Sequence, residues 1–178
     1  MFLKGLKDKF KHKSGSKFLK EELLKPAANV QRSTGITAIG CLVDLDNFEK
    51  PELFFEFVDE YNLRPNAVKI IGYKSYYDKN SPYSTPVFSD KDLGWKGEIE
   101  NSYALEFLSR DYDLLVNYYN EENLLLQLMT VKTKARVKVG FKEVDQRLND
   151  LILEIPIKDF KTFKLELKKY LKVLNEIT

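Results

Sequence analysis

The chain has 178 residues, 43% of them hydrophobic and 31% charged, with 12 Phe and 10 Tyr, which suits one compact domain with a bulky core. A single cysteine, Cys41, excludes an internal disulfide, and a single histidine, His12, excludes sites built on several imidazoles. The net charge is +2, yet residues 1–32 hold nine basic against three acidic side chains, a local +6 that leaves −4 on the remainder. Arms of this kind meet nucleic acid or anionic membrane.

In the first segment Phe2, Leu3, Leu6 and Phe10 recur at helical spacing with lysines between them, which predicts a short basic amphipathic helix. Ser14-Gly15-Ser16 interrupts it. Ser16 then caps a second short helix through Phe18, Leu19, Leu23 and Leu24, and Pro26 ends it. Residues 26–34 read as a linker, so the chain divides into a basic arm with linker (1–32) and an α/β domain (33–178). Lysines interrupt the apolar residues of 1–13, so no secretory leader is expected there. No run approaches the roughly 20 apolar residues of a membrane span. A cytoplasmic protein is expected.

From Gly35 onward strands alternate with helices. Residues 36–43 form a near-continuous apolar run, as in a central parallel strand covered on both faces, and Cys41 inside it reads as a buried, inert thiol. Pro51 opens a helix through Tyr61, and residues 67–73 are the second strand. A long connection rich in Tyr, Ser, Pro and Asp follows, from Lys74 to about Gly97. A helix over 98–110, a strand over 112–118, a Leu-rich helix over 121–133 and strands over 135–141 and 151–155 complete the sheet. The last helix carries Phe160, Phe163, Leu167, Tyr170, Leu171 and Leu174 on one stripe. This alternation predicts a three-layer open parallel sheet of about five strands, in the order 2-1-3-4-5, with helices on both faces.

In such sheets ligands bind beyond the carboxyl ends of the strands. That places a candidate ligand rim at Asp44, Asp46, Tyr73, Trp95 and Asn117, with Asn47, Lys74, Tyr76, Tyr77, Tyr118, Asn120 and Lys142 nearby in sequence. Asp44 and Asp46 carry the oxygen ligands that Mg²⁺ takes, but no further acids converge with them, and a solvated strand-end loop is the preferred reading. Trp95 with Tyr73, Tyr76 and Tyr77 offers either an aromatic shelf for a base or sugar, or a plug over the sheet edge. No glycine-rich phosphate loop follows the first strand, no catalytic set is evident, and no metal or other cofactor is expected.

Residues 112–117 (Tyr-Asp-Leu-Leu-Val-Asn) followed by 134–141 (Lys-Ala-Arg-Val-Lys-Val-Gly-Phe) resemble a unit in the N-terminal half of heptosyltransferase-type glycosyltransferases, which implies a nucleotide-sugar or phosphate ligand at the strand ends. Across most of the chain, the basic arm, Ile39–Asp44, Ile71-Gly72-Tyr73, Lys91-Asp92-Leu93-Gly94-Trp95, Tyr112–Leu115, Val137–Phe141 and the closing helix are similar to a family of small uncharacterised proteins from Bacteroidota. That likeness implies a bacterial cytoplasmic protein and brings no activity with it.

The leading expectation is therefore a non-enzymatic binding or accessory protein. Lys4, Lys7, Lys9, Lys11, Lys13, Lys17 and Lys20 would meet an anionic partner, with RNA or a ribosome favoured. Peripheral attachment to a membrane surface is the alternative, and so is docking of the arm onto its own domain or a second copy; a protein partner is a further one.

Overall fold

A computed structural model describes residues 2–26, 34–78, 80 and 83–177. Six strands form one all-parallel open sheet: β1 (Ile39–Asp44), β2 (Val68–Tyr73), β3 (Val87–Phe88), β4 (Asp111–Tyr118), β5 (Lys134–Phe141) and β6 (Leu151–Leu153), in the order β3-β2-β1-β4-β5-β6. The five expected strands occur with the expected neighbours. The expectation lacked β3, a two-residue strand that follows Pro86 and extends the edge beyond β2.

The helices are α1 (Phe2–Leu23), α2 (Glu56–Glu60), α3 (Ser102–Leu108), α4 (Leu124–Lys132) and α5 (Phe160–Val173). Two N-termini fall short of the expected ones because asparagines set them. The side chain of Asn101 accepts from the backbone N–H of Ala104, and that of Asn123 from Leu126, fixing the first turns of α3 and α4. The expected helix after β1 is a 3-10 turn (Pro51–Phe55) leading into α2.

Alternate residues of the strands feed two cores. Ile39, Cys41 and Val43 of β1 join Leu114, Val116 and Tyr118 of β4 beneath α5, in a cluster with Phe54, Phe57, Phe160 and Phe163. Leu42, Ile71, Tyr73 and Leu115 point the other way, to Phe107 of α3, Leu125 and Met129 of α4, and Leu19 of α1. Both faces of β1 are thus apolar and covered, which is why its sequence runs unbroken. Tyr118 sits inside the first core with ring centroids 4.7 Å from Phe48 and 4.9 Å from Phe163, and its hydroxyl donates to the Ile157 carbonyl at 2.6 Å. Cys41 is free and fully buried, and burial pushes its thiol pKa up, away from reactivity.

Opposite the strand C-termini, Arg136 ties the segment before β1 to the segment after α5. Its guanidinium pairs with Glu176 and donates to the Gly35 carbonyl at 2.7 Å, while Glu176 accepts from the Gly35 N–H at 3.1 Å. Asp113, 3.7 Å from Arg136, accepts from the Thr37 N–H and hydroxyl and from the Ala38 N–H.

Candidate anionic-partner interface

At the strand ends the expected rim residues are engaged within the chain. Asp44 is buried and accepts from the Asp46 N–H (3.0 Å) and the Asn47 amide (2.8 Å), a turn closed further by the Phe48 N–H on the Asp44 carbonyl. Burial raises its carboxyl pKa against the lowering effect of those two hydrogen bonds. Asp46 accepts from the Ser75 N–H at 2.8 Å and so ties the loop after β1 to the loop after β2. Tyr73 is buried and donates to Asp90 at 2.9 Å, and burial pushes its phenol pKa up.

Asn117 lies within the molecule, under α4. It is fully buried, donates to Asn149 at 2.7 Å, and lies 3.0 Å from the Thr130 hydroxyl, which also contacts Tyr119. Lys138 extends this network by donating to the Thr130 carbonyl near the C-terminal end of α4, and burial lowers its pKa. Lys142 pairs with Glu154.

The aromatic shelf is not assembled. Tyr73 packs edge-on to Phe88, Tyr77 to Tyr83, and Tyr76 lies under Lys91, whereas Trp95 belongs to a 3-10 turn (Trp95–Gly97) beside α1. Beyond the β3 edge lies an open cleft of about 630 Å³ with Tyr77, Tyr83, Asp92, Glu100 and Tyr103 in its walls. Asp92 is already committed there, accepting from the Ser89 N–H and the Asn101 amide. Among the described residues, no group of three or more His, Cys, Asp or Glu side chains could hold a metal ion.

Helix α1 differs. It is one continuous 22-residue helix, and Ser14-Gly15-Ser16 forms its contact with the body instead of a break. A methyl group built on Gly15 would stand 3.5 Å from Leu124 and Leu128 and 3.6 Å from the Cα of Gly97. Larger side chains would hold the helix off. Ser14 accepts from the Lys96 N–H at 3.0 Å, presented by a turn in which Lys96 and Gly97 both take positive φ (54° and 75°). Phe18 packs at Gly97 with the Lys132 ammonium 4.2 Å from its ring centroid, Leu19 is buried, and Lys11 pairs with Glu100 at 3.2 Å. The spacing Gly15, Phe18, Leu19, Leu23 is the sequence signal of this face, and the small residue at its head disguises it.

At 3.6 residues per turn, Leu3, Leu6 and Phe10 sit nearly half a turn away from this docked face. They are exposed, at 80%, 44% and 52%. Lys9, Lys13, Lys17 and Lys20 fall on the same outward side and are exposed. Lys17 lies 3.8 Å from the exposed Glu21; among the described residues Lys7, Lys9, Lys13 and Lys20 form no ion pair. Of the lysines expected to meet an anion, Lys11 is therefore drawn inward, five are exposed with Lys17 alone of them beside an acid, and the Lys4 side chain falls outside the described part. The linker at 26–34 also lies mostly outside it, since residues 27–33 are not described.

No described helix is long and apolar enough to cross a membrane. The chain matches a family of unknown function over residues 11–174, from the point where α1 first pairs with the body to the end of α5. No curated protein and no solved structure matches it.

Proposed function

The chain belongs to the family of unknown function DUF6913, and from that premise we propose that it is a non-enzymatic binding or accessory protein that meets an anionic partner through the outward face of α1. The observation that carries this reading is the sorting of the helix into two faces. Gly15, Phe18 and Leu19 consume one face in docking, while Lys9, Lys13, Lys17 and Lys20 line the other. The docked face holds the lysines in fixed register, so an anionic surface meets them without first having to order a loose arm. A phosphate-rich surface, as of RNA or a ribosome, satisfies the charge requirement.

The strand ends support the binding reading over a nucleotide-sugar or phosphate site, since Asp44, Asp46, Tyr73 and Asn117 each already hold partners in the chain. The test is retention on immobilised heparin across a salt series, comparing the full chain with Lys9→Gln/Lys13→Gln/Lys17→Gln/Lys20→Gln. Each lysine that neutralises a phosphate-like charge contributes about 0.7–0.9 to the slope of log affinity against log salt. The quadruple variant should lose about three units of that slope without a change in melting temperature. Equal retention of both proteins at every salt concentration would refute the proposal.

A further inference from the structure

We infer that the anionic partner of α1 is a lipid surface bearing negatively charged headgroups, an inference that rests on the binding role proposed above. Charge alone does not separate lipid from nucleic acid. The exposed apolar side chains do. Leu3, Leu6 and Phe10 stand in solvent beside Lys9 and Lys13, although the same helix buries Leu19 and lays Phe18 against the body a few residues later.

A nucleic acid presents phosphates and base faces, and gives leucine side chains no phase to enter. A bilayer presents anionic headgroups directly above acyl chains. A helix lying in that boundary inserts Leu and Phe while its lysines extend their stems and keep their ammonium groups among the headgroups. The geometry fits such a flat target, because the described residues Leu3 and Gly5–Phe10 are all exposed, and Leu3, Leu6 and Phe10 share the outward side of the helix with Lys9, Lys13 and Lys17. Of the acids of this helix, only Glu21 faces outward, and Lys17 lies beside it. Asp8 turns toward Asp90 and Lys91 of the body. The exposed apolar stretch is too short to span, so attachment is peripheral and reversible. A second copy of the chain fits the same face less well, since a symmetric contact through it would bring the two rows of lysines together.

The experiment is flotation of the full chain with vesicles of phosphatidylcholine alone and of phosphatidylcholine and phosphatidylserine in equal parts, with poly(U) RNA binding measured in parallel. Binding to the mixed vesicles only, at low salt, is expected. Leu3→Ser/Leu6→Ser/Phe10→Ser should weaken it by at least on the order of 100-fold. Lys13→Gln/Lys17→Gln should weaken it by about 25-fold, at about fivefold per lysine near an anionic surface. Both variants should melt with the parent chain.

RNA binding that depends on the lysines, is indifferent to the apolar triple change and occurs without vesicle binding would overturn the lipid assignment and leave the binding role standing. Self-association abolished by the triple change, with no vesicle binding, would overturn it in favour of a second copy. Failure to bind vesicles, RNA and heparin alike would overturn both the lipid assignment and the binding role.

Discussion

The polar side chains of the sheet and the lysines of α1 look alike in the sequence and differ in the folded chain. Asp44, Asp46, Tyr73, Asp113, Asn117 and Arg136 all sit on or next to strands, and each has a partner within the molecule. The outward lysines of α1 have almost none, and the leucines beside them are left in water. Buried polar groups must be satisfied, so their pairing is a requirement of folding and says little about ligands. An exposed row of leucine and lysine meets no such requirement, and it marks a region whose composition the fold itself does not explain.

That contrast sets the expected sizes of perturbation. Arg136→Ala should have the largest effect, because Glu176 is then left buried without its cation. The cost is about 3–5 kcal/mol, read as a fall in melting temperature of roughly 6–20 °C. A change under 1 kcal/mol would mean that the pair is solvated in solution. Asn117→Ala should cost about 1–3 kcal/mol, since it strands Asn149 and removes an acceptor for Thr130. It should leave heparin retention untouched, and altered retention would show that the strand ends take part in binding.

A smaller effect is expected from pH. At Asp113 burial acts to raise the pKa, but hydrogen bonds from Thr37 and Ala38 and the charge of Arg136 outweigh it and hold the carboxyl below its ordinary 3.8. The group therefore adds stability that is complete above that ordinary value and is lost as the pH falls through the lower, folded one. Asp113→Asn should remove part of the acid limb of the melting profile; an unchanged limb would contradict the assignment. The smallest change is predicted for the outward face itself, where Leu6→Ser should alter stability by no more than about 0.5 kcal/mol. A larger loss would mean that Leu6 is packed in solution.

Much of the sheet was legible because its signals are local. The run over 36–43 and the patterned strands after it need only their own residues to be read, and their order follows from the connections. The two residues of β3 left no such signal, because a strand that short carries no periodicity and Pro86 precedes it. The partners of the strand-end groups were hidden for another reason. Asn117 is polar and ends a strand, but its partners Thr130 and Asn149 come from segments 13 and 32 residues further on. Gly15 likewise reads as a helix breaker until Gly97 and Leu128 are brought against it. The basic, half-apolar character of the arm was plain in the sequence; which side of it faces outward was not.

The most direct test of the central claim is amide hydrogen exchange of the full chain with and without vesicles of phosphatidylcholine and phosphatidylserine in equal parts. Slowed exchange confined to residues 3–20, with residues 44–47, 73–76 and 117–120 unchanged, is the result predicted by an outward face of α1 that binds and strand ends that only hold the fold. Slowing at the strand ends with α1 unaffected would contradict it.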